Sequence, residues 1–371
     1  MITVFHVVLF DLIIYILILS SGYRCLQIGK INADKSRFIF ILFILFCLYP
    51  AWGGDYFHYR ETFQNIKEGY DTHLEDIYRN VIQKITPTYF LFRLLVWGCA
   101  TFLLYKTCRY ADTDNVFSFL VFALLFLPFF SYARVSLAMA LIYFGVSLIV
   151  IKKQKLKIIL GFLILVSSFY FHKSALFGIG IVLLAMLLSE RIGKKMTLVV
   201  MASFPLLIMV TTKFLSDSLT LDASDFELIN IRSAQNYLTT ETAMRGLVSK
   251  IIFFLMQATY YLILIEYIMV QFSGKYKLLP RLTKTFATAS FLTIIVASIF
   301  AFDLGFSTNT MYYRFLYFAM IPSAVFIAHC IKTQMFVRYT KVVIIVGITH
   351  VLISLLYSCY LAQLPNYSYT W

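Results

Sequence analysis

Residues 115–131 read NVFSFLVFALLFLPFFS, a run with no charged residue and no alternation of polar with apolar positions. A helix rises about 1.5 Å per residue, so about 20 residues cross the hydrocarbon of a bilayer. A membrane strand needs only about 9–11 residues and alternates in polarity. The run therefore reads as a buried or membrane-spanning helix. Runs of the same kind recur at 3–21, 37–52, 88–105, 134–151, 157–171, 174–189, 196–212, 250–271, 285–302, 312–331 and 342–360. The expected fold is all-α: a polytopic integral membrane protein with about twelve transmembrane helices. It forms a single membrane domain over residues 1–371, with two longer outer loops at 53–87 and 213–249.

Composition agrees. Hydrophobic residues make up 61% of the 371 positions and charged residues 13%. Soluble domains run at about 45–50% and about 25%. The first apolar run lacks a basic leading segment and a small-residue cleavage site, so it is expected to be retained as a helix. The six cysteines stand at 25, 47, 99, 108, 330 and 359. None has metal-ligand spacing, and a disulfide framework is not expected. No metal and no cofactor are expected.

Charge gives the orientation. The segments after the odd-numbered runs carry Arg24, Lys30, Lys35 and Arg37; Lys106 and Arg109; Lys152, Lys153, Lys155 and Lys157; Arg191, Lys194 and Lys195; Lys275, Lys277, Arg281 and Lys284; and Lys332, Arg338 and Lys341. Basic loops face the cytoplasm, which puts both termini outside. The formal charge of +14 is mainly this asymmetry. It gives no reason to expect nucleic acid, because no basic face is interleaved with base-stacking aromatics.

The outer loops hold the unusual polar residues. In 53–87, Tyr56, Tyr59, Phe63, Ile66 and Tyr70 recur at helical spacing, which reads as one amphipathic helix along the outer interface. In 213–249, a mixed polar segment containing Arg232 and Arg245 reads as a lid or binding loop. Gly53-Gly54-Asp55 allows a tight turn before a carboxylate. Asp55 is then a candidate base or sugar ligand, with helix capping as the alternative. Tyr56 and Tyr59 suit sugar contacts or an aromatic belt. Arg134 opens the fifth run and Arg314 the eleventh. A guanidinium forks onto phosphate through paired hydrogen bonds; interfacial snorkelling is the alternative. Arg93 has the same two readings. His172 and Lys173 sit at the turn between runs six and seven, where the imidazole could accept a proton, and Ser174 could cap the seventh run. Tyr313, beside Arg314, and the loop arginines are further substrate-binding candidates.

Three segments and a late arginine carry a resemblance. They are Gly54-Asp55-Tyr56-Phe57-His58-Tyr59 with Phe63, then Arg134-Val135-Ser136-Leu137-Ala138, then Phe171-His172-Lys173-Ser174-Ala175-Leu176, and finally Arg314 with Tyr317 and Phe318. In this order the chain resembles the EpsG-like branch of the Wzy polysaccharide polymerases. Val135 stands where many relatives carry glutamine. The resemblance implies an enzyme of the bacterial cytoplasmic membrane with an outward-facing site. Its substrate is then an undecaprenyl-pyrophosphate-linked oligosaccharide, whose glycan chain is transferred to an incoming lipid-linked repeat. It implies that Arg134 and Arg314 hold the donor pyrophosphate, and that His172 or Asp55 orients or deprotonates the acceptor. Membrane lipids are the surroundings; a chain-length regulator and a flippase are further partners it allows. The absence of a nucleotide-binding motif fits a donor activated by lipid pyrophosphate. A lipid-linked oligosaccharide transporter and an O-antigen-ligase-like transferase are the competing functions.

Overall fold

The structure, a computed structural model, describes residues 4–48, 55–70, 75–111, 116–132, 134–151, 154–200, 203, 241–242, 247–299 and 308–361. Among the described residues, nine helices come first: α1 (Val4–Ile28), α2 (Ala33–Leu48), α3 (Asp55–Lys67), α4 (Asp76–Lys84), α5 (Tyr89–Ala111), α6 (Phe117–Tyr132), α7 (Val135–Ile151), α8 (Lys155–Phe171) and α9 (Ala175–Leu188). Residues 194–200 are helical again. The second half contributes α10 (Leu247–Phe272), α11 (Arg281–Ile299), α12 (Thr310–Lys332) and α13 (Val337–Leu361). A two-residue antiparallel pairing, β1 (Glu241–Thr242) with β2 (Thr308–Asn309), ties the segment before α10 to the start of α12. No periodicity in the sequence announces it.

The opening run becomes the centre of the bundle. Every residue from Val116 to Ser131 is buried. A helix apolar on all sides needs apolar cover on all sides. Here α1, α2, α5, α12 and α13 supply it. Tyr15 of α1 donates its hydroxyl to the Leu124 carbonyl at 2.6 Å, so the covering helices also satisfy polar groups. By contrast, α8 exposes Leu156, Ile159, Leu163 and Val166. Apolar surface of that extent is untenable in water and suited to lipid. Among the described residues, five helical segments are long and apolar enough to cross a membrane: Phe5–Ile28, Tyr89–Ala111, Lys250–Phe272, Arg314–Lys332 and Val337–Tyr360. Shorter apolar helices include Phe117–Ser131, Val135–Ile151 and Ala175–Leu188. The all-helical bundle expected from the sequence is present, and five of the twelve expected spans meet the length and apolarity of a membrane crossing among the described residues; other runs form helices of 10–17 described residues.

Small residues set the closest helix contact. A Cβ placed on Gly145 of α7 would lie 2.7 Å from the Gly161 carbonyl oxygen of α8, and one on Gly161 would lie 2.7 Å from the Gly145 oxygen. Backbone meets backbone, as at small-residue contacts between membrane helices. Gly145→Val is therefore expected to part α7 from α8 and destabilise the fold by about 1–3 kcal/mol. Gly180→Ala, with nothing within 4 Å of its added Cβ, serves as the control. Thermal denaturation in detergent checks the pair: equal melting of the two variants contradicts the contact.

The basic turns meet at one end. Gly29 packs on the Lys332 backbone, with 3.3 Å from its would-be Cβ to the Lys332 Cα. Lys275 lies 4.8 Å over the Phe336 ring. Lys284 pairs with Glu190 at 3.3 Å, and Tyr276 donates to the Ser189 carbonyl at 3.0 Å. All six cysteines are free thiols.

Candidate functional site

The opposite end is built around the α6–α7 apex. Pro128 lies inside α6, and the carbonyls near the helix end find side-chain donors. Ser131 Oγ donates to the Pro128 carbonyl at 2.7 Å, and Ser136 Oγ to that of Phe130 at 2.6 Å. Trp97 Nε1 of α5 also reaches the Phe130 carbonyl, at 3.2 Å. Such groups are orphaned at any helix C-terminus and attract cations. Arg93 supplies one. It is fully buried, and donates to the Cys47 carbonyl from Nε (2.9 Å) and Nη2 (2.6 Å) and to the Ser131 carbonyl from Nη2 (2.6 Å). Its guanidinium lies 3.8 Å over the Trp97 ring. Neither reading offered for Arg93, substrate ligand or interfacial snorkel, describes this geometry: it clamps the ends of α2 and α6 together. Among buried groups, polar atoms with this many partners hold a fold in one arrangement.

With the apex fixed, Arg134 projects from it toward the outer loop. Its Nε donates to the Tyr59 hydroxyl at 3.0 Å, and its guanidinium carbon lies 5.2 Å from the Tyr59 ring centroid. Its Nη1 pairs with Glu75 Oε2 at 3.2 Å. The loop expected to hold one amphipathic helix contains two, α3 and α4, with Phe63 and Ile66 buried and Tyr70 exposed. The residues 71–74 between them lie outside the described residues. The helices bring Tyr59 and Glu75 to the same guanidinium. Glu75 holds the N-cap position of α4, yet its side chain makes no capping bond; Arg134 takes it instead. Tyr59, Thr62, Tyr78, Ile82, Phe92, Trp97 and Arg134 line a small recess here.

From this recess α4 reaches the end of α8, where the Tyr78 and Phe171 rings meet at 6.0 Å. The next residue is His172, in extended conformation at the C-cap of α8. The Ser174 backbone N–H lies 3.2 Å from His172 Nδ1, and the Ser174 hydroxyl 2.6 Å from it. Ser174 therefore serves the imidazole and makes no capping bond to α9. A backbone N–H can only donate, so Nδ1 is an acceptor and the neutral ring carries its proton on Nε2. Burial, and then the charges of Arg134 and Arg314, push the His172 pKa down to about 3. Arg134 and Arg314, distant in sequence, thus share the electrostatic neighbourhood of one imidazole. Arg314 gets there because the start of α12 packs on α9: the Phe315 and Phe177 rings lie 4.0 Å apart, and Gly178 abuts Phe318.

The sign of the pH effect follows. An ordinary histidine titrates near 6.5, so between there and about pH 3 the unfolded chain binds a proton that the folded chain refuses. Stability from this group is complete above the unfolded pKa and is lost as pH falls through that window. In histidine-labelled protein we expect the His172 ring to keep its Nε2–H tautomer from about pH 5 to about pH 8. Arg314→Gln is expected to raise its pKa. An ordinary titration in the unmodified protein, read by nitrogen chemical shift, contradicts this.

The remaining expected site residues divide. Lys173 is exposed beside His172. Asp55 begins α3, Tyr56 follows it, and Tyr313 lies in the first turn of α12; their side chains fall outside the described residues, as do Arg232 and Arg245 entirely. Sequence reasoning passed over Glu75. The available signal was a carboxylate in the outer loop, where the mouth is rich in arginine and needs counter-charge.

Comparison with protein families finds that the profile of the EpsG family matches residues 35–371, nearly the whole chain. No curated protein and no solved structure matches it.

Proposed function

The chain belongs to the EpsG family, and from that premise we propose that it is a membrane polysaccharide polymerase. In this reading it acts at the outer face of the bacterial cytoplasmic membrane on glycan repeats carried by undecaprenyl pyrophosphate. The acceptor is the non-reducing-end hydroxyl of an incoming lipid-linked repeat. Its oxygen bonds to the anomeric carbon of the donor chain. The bond from that carbon to the pyrophosphate breaks, and the electron pair leaves with undecaprenyl pyrophosphate.

One observation carries the reading: Tyr78 reaches both the Arg134 carbonyl at 3.5 Å and the Phe171 ring beside His172, and the helix that Arg314 enters packs on the helix that follows His172. Glycosyl transfer builds negative charge on the departing pyrophosphate, and fixed cations stabilise that charge more than they stabilise a neutral sugar. His172, neutral with its proton on Nε2, can donate a hydrogen bond to a sugar or phosphate oxygen; its Nδ1 is already occupied. This departs from the expectation that His172 itself removes the acceptor proton. The basic turns gathered at the other end support an outward-facing site through the positive-inside rule. A chain-length regulator and a flippase fit as partners of such an enzyme.

The test uses purified protein in lipid nanodiscs with a defined undecaprenyl-pyrophosphate-linked repeat. Longer lipid-linked glycans, with release of the free carrier, are the expected products. Transfer of the glycan to lipid A without lengthening makes the protein a ligase. In liposomes, transbilayer movement without any new glycosidic bond makes it a transporter. Either outcome removes the polymerase reading.

A further inference from the structure

We propose that Glu75 is the base that takes the proton of the acceptor hydroxyl, and that arrival of the donor pyrophosphate frees it to do so. The inference rests on the polymerase reading and adds a residue to it. The reaction releases a proton from the attacking hydroxyl, so the mouth needs an acceptor for it. His172 is poorly placed for that task, because its accepting nitrogen is held by the Ser174 N–H at 3.2 Å. Glu75 is a carboxylate with a half-buried side chain, 17% exposed, at the same guanidinium that faces the recess.

Charged and titratable groups from three elements face it among the described residues. Arg134 comes from the α6–α7 apex, and Tyr59 from α3 lies on the same guanidinium. Tyr78 lies one turn along α4, within electrostatic range. Asp76 and Arg79 on the same helix pair with each other at 4.0 Å. Glu75 engages Arg134 Nη1 at 3.2 Å, as a pyrophosphate oxygen would. An anion competing for Arg134 displaces the carboxylate from its counter-ion and sets negative charge beside it. The freed carboxylate oxygens are then open to accept a hydrogen bond from an acceptor hydroxyl. The carboxylate is thereby held by Arg134 until an anion takes its place and then released toward the acceptor.

The balance is complete. The acceptor O–H proton passes to a Glu75 carboxylate oxygen as the acceptor oxygen bonds to the anomeric carbon. The carbon–phosphate oxygen bond breaks, and its electron pair stays on the pyrophosphate held by Arg134 and Arg314. The proton then leaves Glu75 to water, restoring the carboxylate.

Polymerisation in nanodiscs with the defined lipid-linked repeat tests this. Glu75→Gln is expected to reduce turnover by about 10²–10⁴-fold and to flatten the acid limb of the pH–rate profile. Asp76→Asn, which removes the neighbouring carboxylate, is expected to leave turnover near the wild-type value. Formate added to Glu75→Ala is expected to restore part of the rate, a result a purely structural ion pair cannot produce. Turnover by Glu75→Gln within a few-fold of an active wild type overturns the assignment and leaves the polymerase reading standing. So does loss of activity in Glu75→Ala with no formate rescue and an unchanged pH profile in Glu75→Gln. A wild-type protein that forms no polymer removes both.

Discussion

Arg134→Ala is expected to reduce polymer formation by about 10²–10³-fold, the usual loss when one fixed donor to a developing anion is removed. The effect should fall on both kinetic parameters. A donor pyrophosphate is charged before the reaction begins, so part of the loss is ground-state binding and raises KM. The leaving group gains further charge as its bond to carbon breaks, so the rest lowers kcat. Arg134→Lys separates charge from shape. Lysine keeps the cation but presents a point of charge, whereas the guanidinium can hold Tyr59 through Nε while its two terminal nitrogens turn to the pyrophosphate in place of Glu75. We expect the lysine variant to recover little of the loss. Turnover, measured beside membrane insertion and melting temperature, decides the matter: a correctly inserted Arg134→Ala protein with wild-type turnover removes this arginine from the chemistry.

Much of this architecture can be read from the chain, and the illegible part has a physical cause. Each apolar run identified in the sequence contains helix wherever the structure describes it, because period-free apolar stretches of this length have no other stable form in lipid. Which run sits where is another matter. Residues 115–131 and 157–171 have similar composition, yet one is enclosed on every side and the other lies open along its length. Hydrophobic periodicity distinguishes faces, and a helix apolar all round has no face to distinguish. The site follows the same division. Arg134, His172 and Arg314 stand out because a polar residue at the end of an apolar run is costly without a reason. Glu75 does not stand out. A carboxylate just before a polar helix has a ready explanation as a cap, and its actual partner lies 59 positions away.

Arg93 shows how the same kind of residue divides into two kinds of work, and its replacement should injure the fold before the chemistry. Its guanidinium bridges the Cys47 and Ser131 carbonyls and lies against Trp97, fully buried. Arg93→Leu keeps bulk and removes every donor. Each carbonyl left dry and unpaired costs about 1–3 kcal/mol. The ends of α2 and α6 then lose their common anchor, and the apex that aims Arg134 loses its support. Arg93→Lys keeps the charge but cannot reproduce a planar fork that spans two carbonyls while stacking on an indole. We therefore expect Arg93→Leu to lose several degrees in melting temperature, with Arg93→Lys between it and the wild type. Residual turnover in both should follow the fraction of folded protein. An arginine that bound substrate would behave in the opposite way, with turnover collapsing while melting stayed within about 2 °C of wild type. Thermal denaturation and polymerisation measured on one preparation distinguish the clamp from the ligand, and the latter pattern returns Arg93 to the substrate side of the mouth.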